Sequence, residues 1–451
     1  MEQVAENVVN TVVKNDICIG CGMCTYKNED KLEMVWNEEG FLVPQFKIDD
    51  FELEYDLEVC PFNPNPDPNV RTENEIADLF LKDAPNHHPK IGRYSDLYVG
   101  YAEDFRKTSS SGGIATFVFN ALLENGEVDH VISVKGGVNN HYEYSISSSV
   151  SELMESSKTK YYPVTLATIL PEIDKLNGTV AVSGVACFIK SIRLAQYYHP
   201  ELNEKIKFLV GIICGGIKSS FFAEYLASKT GVQKDEFIKP EFRIKDYNST
   251  ANDYSFGSTE ITSNELKQIK MRRVGDMWGT GLFKANACDF CDDVTTELAD
   301  ISVGDAWLKP YVDDGRGTSV VVTRSKSAKK LIENAISEQR VQLVDLSLKQ
   351  FLLSQKGSFN HRQEAQPFRI GLVEKKGQLL PPKRNVSETI SLPFKIVQIL
   401  RRKSRIKSLK AWNKTPIIEE FDNKMANTLW SLRLATRVNH RIRSIQKKLN
   451  K

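Results

Sequence analysis

The sequence predicts an α/β fold of the α+β kind: a small cysteine-bearing domain over residues 1–75, a linker over 76–95, a mixed-sheet domain over 96–365 and a basic amphipathic helical tail over 366–451. Three observations predict it. Strands and helices alternate as βαβα between residues 180 and 229, an order that builds a parallel sheet segment covered on both faces. The eight cysteines fall into an N-terminal group, from Cys18 to Cys60, and a second group, from Cys187 to Cys291. The last 58 residues hold 16 Lys or Arg against 3 Asp or Glu, a net of +13 in a chain of +2, so the remainder stands at −11.

With 451 residues, 41% of them apolar, the chain is long enough for two or three domains and at least one full core. No apolar run approaches the roughly 20 residues of a spanning helix, and residues 1–6 begin no signal peptide. A cytoplasmic protein is expected. Eight cysteines are too sparse for a disulfide scaffold, and five of them stand in CxxC spacings that suit metals, iron–sulfur clusters first.

Taken in order, Cys18-Ile19-Gly20-Cys21-Gly22-Met23-Cys24 is a CxxCxxC run with glycines where a backbone must curl around a cluster, and Cys60-Pro61 completes it. The run resembles a bacterial ferredoxin. In two-cluster ferredoxins one site takes the first three cysteines and the last, the set present here. The second site's positions hold Asn28, Asp50, Leu53 and Asp56, none of them a thiol. One [4Fe-4S] cluster on Cys18, Cys21, Cys24 and Cys60 is expected, with structural zinc on the same thiols as the alternative. Residues 63–89 are rich in Pro, Asn and charge and read as a linker, with His87 and His88 exposed at its end.

A strand at 96–101 leads to Thr108-Ser109-Ser110-Ser111-Gly112-Gly113 and an apolar helix at 114–123. Hydroxyls and glycines there suit either a phosphate at a helix N-terminus or a simple N-cap. After a strand at 131–134 and its return at 142–146, Lys158 and Lys160 with Tyr161 and Tyr162 offer charge for a diphosphate and faces for an aromatic ring, or form a solvated loop. Strands at 180–183 and 208–213 end close to Cys187 and Cys214, with helices at 189–197 and 220–229. Two parallel strands ending side by side would bring both thiols to one sheet edge, where Cys288-Asp289-Phe290-Cys291 would complete a four-thiolate site. Short antiparallel strands are expected at 237–244 and 254–256. The run at 297–307 alternates as a strand ending in a Gly304-Asp305 turn, and Asp305 and Trp307 fit either a functional pair or a turn and a core residue. A strand at 317–324 and a helix at 327–338 follow. In the tail, residues 394–403 and 425–449 are basic and amphipathic, which suits a partner or membrane-surface helix, or a solvated extension packing one face on its own domain. Nucleic acid is not expected, because the basic residues are not interleaved with a stacking platform.

With these residues placed, the chain from about 96 to 346 resembles the coenzyme F420 hydrogenase/dehydrogenase β-subunit family, and the ferredoxin-like domain precedes it as in many relatives. Three motifs carry the resemblance: Ser110-Ser111-Gly112-Gly113-Ile114, Gly178-Thr179-Val180-Ala181-Val182 leading to Cys187, and Cys288-x2-Cys291 with the 299–305 run. The resemblance implies a mixed-sheet flavin and iron–sulfur domain in which Cys187, Cys214, Cys288 and Cys291 ligate a second [4Fe-4S] cluster. It implies FAD held by Ser110, Ser111, Gly112, Gly113, Lys158, Lys160 and Tyr161. The chain departs from the family at Ala186, where relatives usually carry Pro.

The expected function is that of an iron–sulfur flavoprotein oxidoreductase. A small donor such as ferredoxin would supply single electrons through two clusters to FAD, and FAD would pass them to a small-molecule or coenzyme substrate. No residue is singled out as a catalytic acid. The alternatives are an electron-transfer subunit without its own substrate and a zinc-stabilised interaction protein. Related bacterial chains resemble accessory reductases of surface polysaccharide synthesis, and the basic tail would suit peripheral contact with the inner face of a membrane.

Overall fold

In the parallel segment, Val180, Ala181, Val182, Leu209 and Val210 are fully buried, so these strands are apolar on both faces as interior parallel strands must be. The computed structural model describes residues 6–47, 53–137, 141–384 and 389–449. Its centre is an eight-stranded mixed sheet, in spatial order Gln342–Asp345, Asp96–Tyr101, Ser319–Thr323, Ile301–Asp305, Ile206–Ile212, Val180–Val185, His130–Gly136 and Tyr142–Ser147. The middle strands His130–Gly136, Val180–Val185, Ile206–Ile212 and Ile301–Asp305 run parallel, and the outer ones pair antiparallel. The expected α/β class and mixed sheet are therefore present. Helices Ile114–Glu124, Ala186–Tyr198 and Lys326–Ser337 cover the sheet. Phe237–Ile244, Ser255–Glu260 and Leu266–Lys270 form a separate antiparallel sheet, whose third strand the sequence reading missed.

Two expectations are corrected. The run ending at Asp305 makes no turn there: Gly304 pairs with Val320 and Asp305 with Ser319, and the strand is buried on both faces rather than alternating. The segment expected as an irregular linker holds the helix Glu73–Phe80, closed by a capping box of Thr72 and Glu75, and the hairpin Asn86–His88/Gly92–Tyr94. His87 is exposed there and His88 half-buried. Glu73 makes a buried ion pair with Lys190 at 3.1 Å, which anchors that helix to the body.

The tail packs one face on its own body, one of the arrangements the sequence left open. Helices Leu392–Lys414 and Ile418–Leu449 pack against one another. They insert Trp412, Phe421 and Met425 among Tyr225, Phe283 and Leu282. Part of the basic surplus also faces inward, since Arg405 pairs with Asp289 at 3.4 Å. Among the described residues no helix is long and apolar enough to cross a membrane.

The cysteine-bearing N-terminal segment shares one core with the sheet. Ile17, Met23, Tyr26, Val59 and Phe62 pack in the same cluster as Val182, Ile189 and Leu209.

Candidate functional site

The N-terminal thiols sit on a loop that Gly20 and Gly22 turn through the left-handed region, at φ of 73° and 79°. Cys21 and Cys24 are buried and Cys18 and Cys60 partly so, and none is in a disulfide. Burial pushes the Cys18 thiol up to about 12 and raises the other three, and the charges of neighbouring cysteines add to it at Cys18, Cys24 and Cys60. Cys24 feels Cys21, Cys18 and Cys60 together, so the four stand as one group. The Gly20 N–H donates to Cys18 Sγ at 3.4 Å. Of the positions where a second ferredoxin site would fall, Asn28 braces the loop through bonds to the Cys24, Tyr26 and Glu54 carbonyls, and Asp56 accepts from Val8 N at 2.6 Å. Leu53 packs against the core, and Asp50 lies outside the described residues.

The inner thiols come from three places. Val185 and Ile212 are register partners on adjacent parallel strands, and the chain reaches Cys187 and Cys214 two residues beyond each. Cys187 is the second residue of the helix Ala186–Tyr198, and Ala186 opens it, a position where Pro is also tolerated. Cys288 lies in the 3₁₀ turn Asn286–Asp289, and Cys291 follows. The Gly216 and Ile217 N–H groups donate to Cys214 and Cys288 sulfurs, each at 3.2 Å. Burial raises Cys187 well above its ordinary value, and it then feels Cys291, Cys288 and Cys214, and lastly Cys21 of the outer group. Cys187 and Cys21 are thus electrostatic neighbours, and the buried Tyr144 phenol feels both.

Among the described residues no three His, Cys, Asp or Glu side chains converge as they would on a single metal ion. Buried or half-buried thiols with backbone N–H groups on their sulfurs, at Cys18 in the outer group and at Cys214 and Cys288 in the inner one, fit a thiolate-bound cluster.

Arg362 was not legible as a site residue. Its Nη2 donates to Cys291 Sγ at 2.6 Å and to the Asp293 carbonyl at 2.7 Å, and its Nη1 donates to the Cys214 carbonyl. Burial opposes its charge, and Cys291, Cys214 and Cys288 raise its pKa more than burial lowers it. It sits in a π-helical turn, Asn360–Glu364, for which no motif signals.

A cavity of about 730 Å³ runs from the loop at 109–113 to Cys214 and Cys288. Ser110, Ser111, Gly113, Lys158, Lys160 and Tyr161 line it, and Gly112 does not. Gly113, at φ 81°, is the N-cap of the helix Ile114–Glu124, and no side chain caps that terminus. The simple N-cap reading therefore fails. The serines instead fasten the loop: Ser110 Oγ accepts from Thr159 N at 2.8 Å, and Ser111 Oγ donates to the Thr318 carbonyl at 3.0 Å. Uncapped N–H groups at a helix start suit a phosphate. Lys158 pairs with Glu241. Lys160 donates to the Ser156 and Ser157 carbonyls, and burial, with Lys158 second, lowers it to about 7. Tyr161 meets Trp278 edge-on at 4.7 Å. Asp305 pairs with Arg243, whose guanidinium lies 5.6 Å from the Trp307 ring, so Asp305 and Trp307 belong to the cavity wall. These residues fit a dinucleotide-sized group with a diphosphate and a flat ring system.

The coenzyme F420 hydrogenase/dehydrogenase beta subunit models match this chain over residues 97–171 for the N-terminal part and 177–349 for the C-terminal part, together more than half of it. One of the F(420)H(2) dehydrogenase subunits of Methanosarcina mazei is 25% identical over 219 residues, covering 45% of this chain and 56% of the relative. The coenzyme F420-dependent sulfite reductase of Methanocaldococcus jannaschii is 23% identical over 361 residues, 76% of this chain and 51% of the relative. The coenzyme F420 hydrogenase subunit beta of Methanothermobacter thermautotrophicus is 24% identical over 265 residues, 54% of this chain and 83% of the relative. The chain spans about half the length of the first two. A chain of the F420-reducing [NiFe] hydrogenase complex from Methanosarcina barkeri has a TM-score of 0.49 at 18% identity, covering 64% of this chain and 94% of its own. The matched spans contain the loop at 109–113, Lys158, Lys160 and all four inner cysteines, whereas Cys18 to Cys60 and Arg362 lie outside them. On these matches, the chain belongs to the coenzyme F420 hydrogenase/dehydrogenase beta subunit family.

Proposed function

We propose that the chain is an iron–sulfur flavoprotein oxidoreductase. It takes single electrons from a ferredoxin-like donor through two [4Fe-4S] clusters to FAD and delivers them to an organic substrate. The observation that carries this reading is that both thiol groups pack in one core, Cys21 and Cys24 in the same cluster as Cys187 and Cys291, with Cys214 and Cys288 of the inner group opening on the cavity. Clusters move one electron at a time, while a flavin stores two and releases a hydride. Cys18, Cys21, Cys24 and Cys60 would hold the outer cluster, and Cys187, Cys214, Cys288 and Cys291 the inner one. The helix start at Gly113, with Lys158 and Lys160, would hold the flavin diphosphate, and Tyr161 would flank its ring. Arg362 would offset the negative charge of the inner cluster. Names of relatives also support redox chemistry, since they are a dehydrogenase subunit, a sulfite reductase and a hydrogenase subunit.

Assay of iron, sulfide and flavin after anaerobic purification tests the reading. About eight irons and one FAD per chain are expected, with Cys288→Ser losing about half the iron. A folded, colourless protein that binds zinc would refute it.

One observation favours a second reading, an electron-carrying subunit that docks on a partner. Trp430, Leu434, Val438 and Ile445 form an exposed apolar stripe on the helix Ile418–Leu449, with Trp430 65% accessible. Exposed Arg433, Arg437 and Arg441 flank it and would favour an anionic surface, the inner face of a membrane included. Cosedimentation with anionic vesicles that is lost in high salt and in Trp430→Ser would place that surface at a membrane.

A further inference from the structure

The cavity carries more positive charge than its proposed occupants use. Eight Lys or Arg side chains line it against two carboxylates, Asp289 and Asp305. Lys284 pairs with Asp289 and Arg243 with Asp305. Lys158 and Lys160 flank Thr159, which is tied to the phosphate-type loop at Ser110, and Arg362 is committed to Cys291. Three remain. Among the described residues Lys218, Arg369 and Arg401 have no carboxylate ion-pair partner, and their bonds go to neutral groups. Lys218 donates to the Met277 and Leu282 carbonyls, Arg369 to the Asp289 and His361 carbonyls and Gln398 Oε1, and Arg401 to the Gly279 and Trp278 carbonyls.

These cations are gathered in one corner. Gln398 Nε2 lies 3.3 Å from His361 Nδ1, and Arg401 Nη1 lies 3.4 Å from His361 Nε2. A neutral imidazole has one acceptor nitrogen, so it cannot satisfy both donors. Burial holds His361 well below its ordinary pKa, with Arg401 and Arg369 adding to it, so the ring stays neutral. Burial chiefly, with Lys284 and Arg401 adding to it, lowers Lys218 to about 7. Asp289 and Asp276 act on these cations without pairing with them directly, so they offset only part of the repulsion, and an anion joining the three would relieve the rest. The wall is built late in the chain: His361 lies in the turn Asn360–Glu364, Arg369 on the helix Gln366–Glu374, and Gln398 and Arg401 on the helix Leu392–Lys414. All four fall beyond residue 349, where the family match ends.

We propose that Lys218, Arg369 and Arg401, with Gln398 and His361, form an oxyanion site that receives the carboxylate or phosphate of the organic substrate. The proposal rests on the reading of this cavity as the flavin and substrate chamber. Two guanidinium groups and an ammonium suit such a head group, because planar N–H pairs match carboxylate and phosphate oxygens in fork geometry. The C-terminal helices would then select substrates by charge.

The test is calorimetric titration of the full, anaerobically purified chain with two probes, inorganic phosphate and citrate. Saturable one-site binding of either is expected, phosphate alone indicating a phosphorylated substrate and citrate alone a carboxylated one. Arg401→Gln and Arg369→Gln should each weaken it about tenfold, the scale of one charge-assisted bond. Lys403→Gln, exposed on the same helix, should bind as the parent does. The proposal fails if neither probe saturates the parent, if Lys403→Gln weakens binding as much as Arg401→Gln, or if excess FAD displaces phosphate, which would make the site the flavin's own. The parent titration decides the matter even if a variant does not fold. Iron and flavin contents of the same samples report on the redox reading separately, since a chain lacking both can still show the anion site.

Discussion

At the scale of single residues, two side chains set the properties of the groups proposed beside them. Lys160 is held near 7 chiefly by burial. A diphosphate favours its charged form, so flavin binding raises that pKa and takes up a proton between pH 7 and the new value. FAD affinity should therefore fall as pH rises above 7, by up to about tenfold per unit, and Lys160→Met should bind more weakly at pH 7 and lose this dependence. Flavin fluorescence titrations at pH 7 and 8.5 check it; parallel profiles for parent and variant would remove Lys160 from the site. Arg362 presents a buried cation to Cys291 at 2.6 Å. Removing it should make electron uptake by an inner cluster harder. Arg362→Met should lower one cluster potential by about 60 mV or more, a tenfold change for one electron, and leave the other unmoved. Spectroscopically monitored redox titration would show whether only one signal shifts.

At the scale of elements, the sequence was most readable where pattern and spacing are local. The helix Ile114–Glu124 and the parallel strands Val180–Val185 and Ile206–Ile212 follow from apolar runs bounded by turn residues, and adjacent parallel strands do deliver Cys187 and Cys214 to one edge. The strand Ile301–Asp305 was misjudged because a strand interior to the sheet need not alternate, and a Gly-Asp pair can lie within it. The segment after Pro68 looked like a linker from its composition, yet Thr72 and Glu75 form a capping box, a signal that could have found the helix Glu73–Phe80. The tail was half legible: its amphipathic spacing predicted helices, but no local feature says which face meets the body. Trp412 is fully buried, and its Nε1 donates to Glu224 Oε2 at 2.8 Å. Trp412→Ala should cost about 3–5 kcal/mol, seen as an early transition in thermal denaturation of the full chain. A variant melting with its parent would restore the tail to a loosely attached extension.

At the scale of the whole molecule, long-range packing joins three regions that the sequence separates. The outer cysteine loop shares its core with the central sheet, two strands of the sheet lead to Cys187 and Cys214, and the C-terminal region closes the cavity with Arg362, Arg369 and Arg401. That closure was illegible because each contact spans a large sequence separation and rests on single Arg residues that no motif or spacing marks. On the proposed function the layout would give electrons a direction, with a thiol group near the N-terminus, an inner group packed in the same core and a cavity beyond. The most direct test is stopped-flow reduction of bound flavin in Cys21→Ser and in the parent, with reduced ferredoxin as one donor and a direct hydride donor as the other. Reduction by ferredoxin should slow at least about tenfold in the variant, since the outer thiol group is the proposed electron port, while reduction by hydride should keep the parent's rate. Equal ferredoxin rates in the two proteins would contradict the account, because they would put Cys18, Cys21, Cys24 and Cys60 off the path to the flavin.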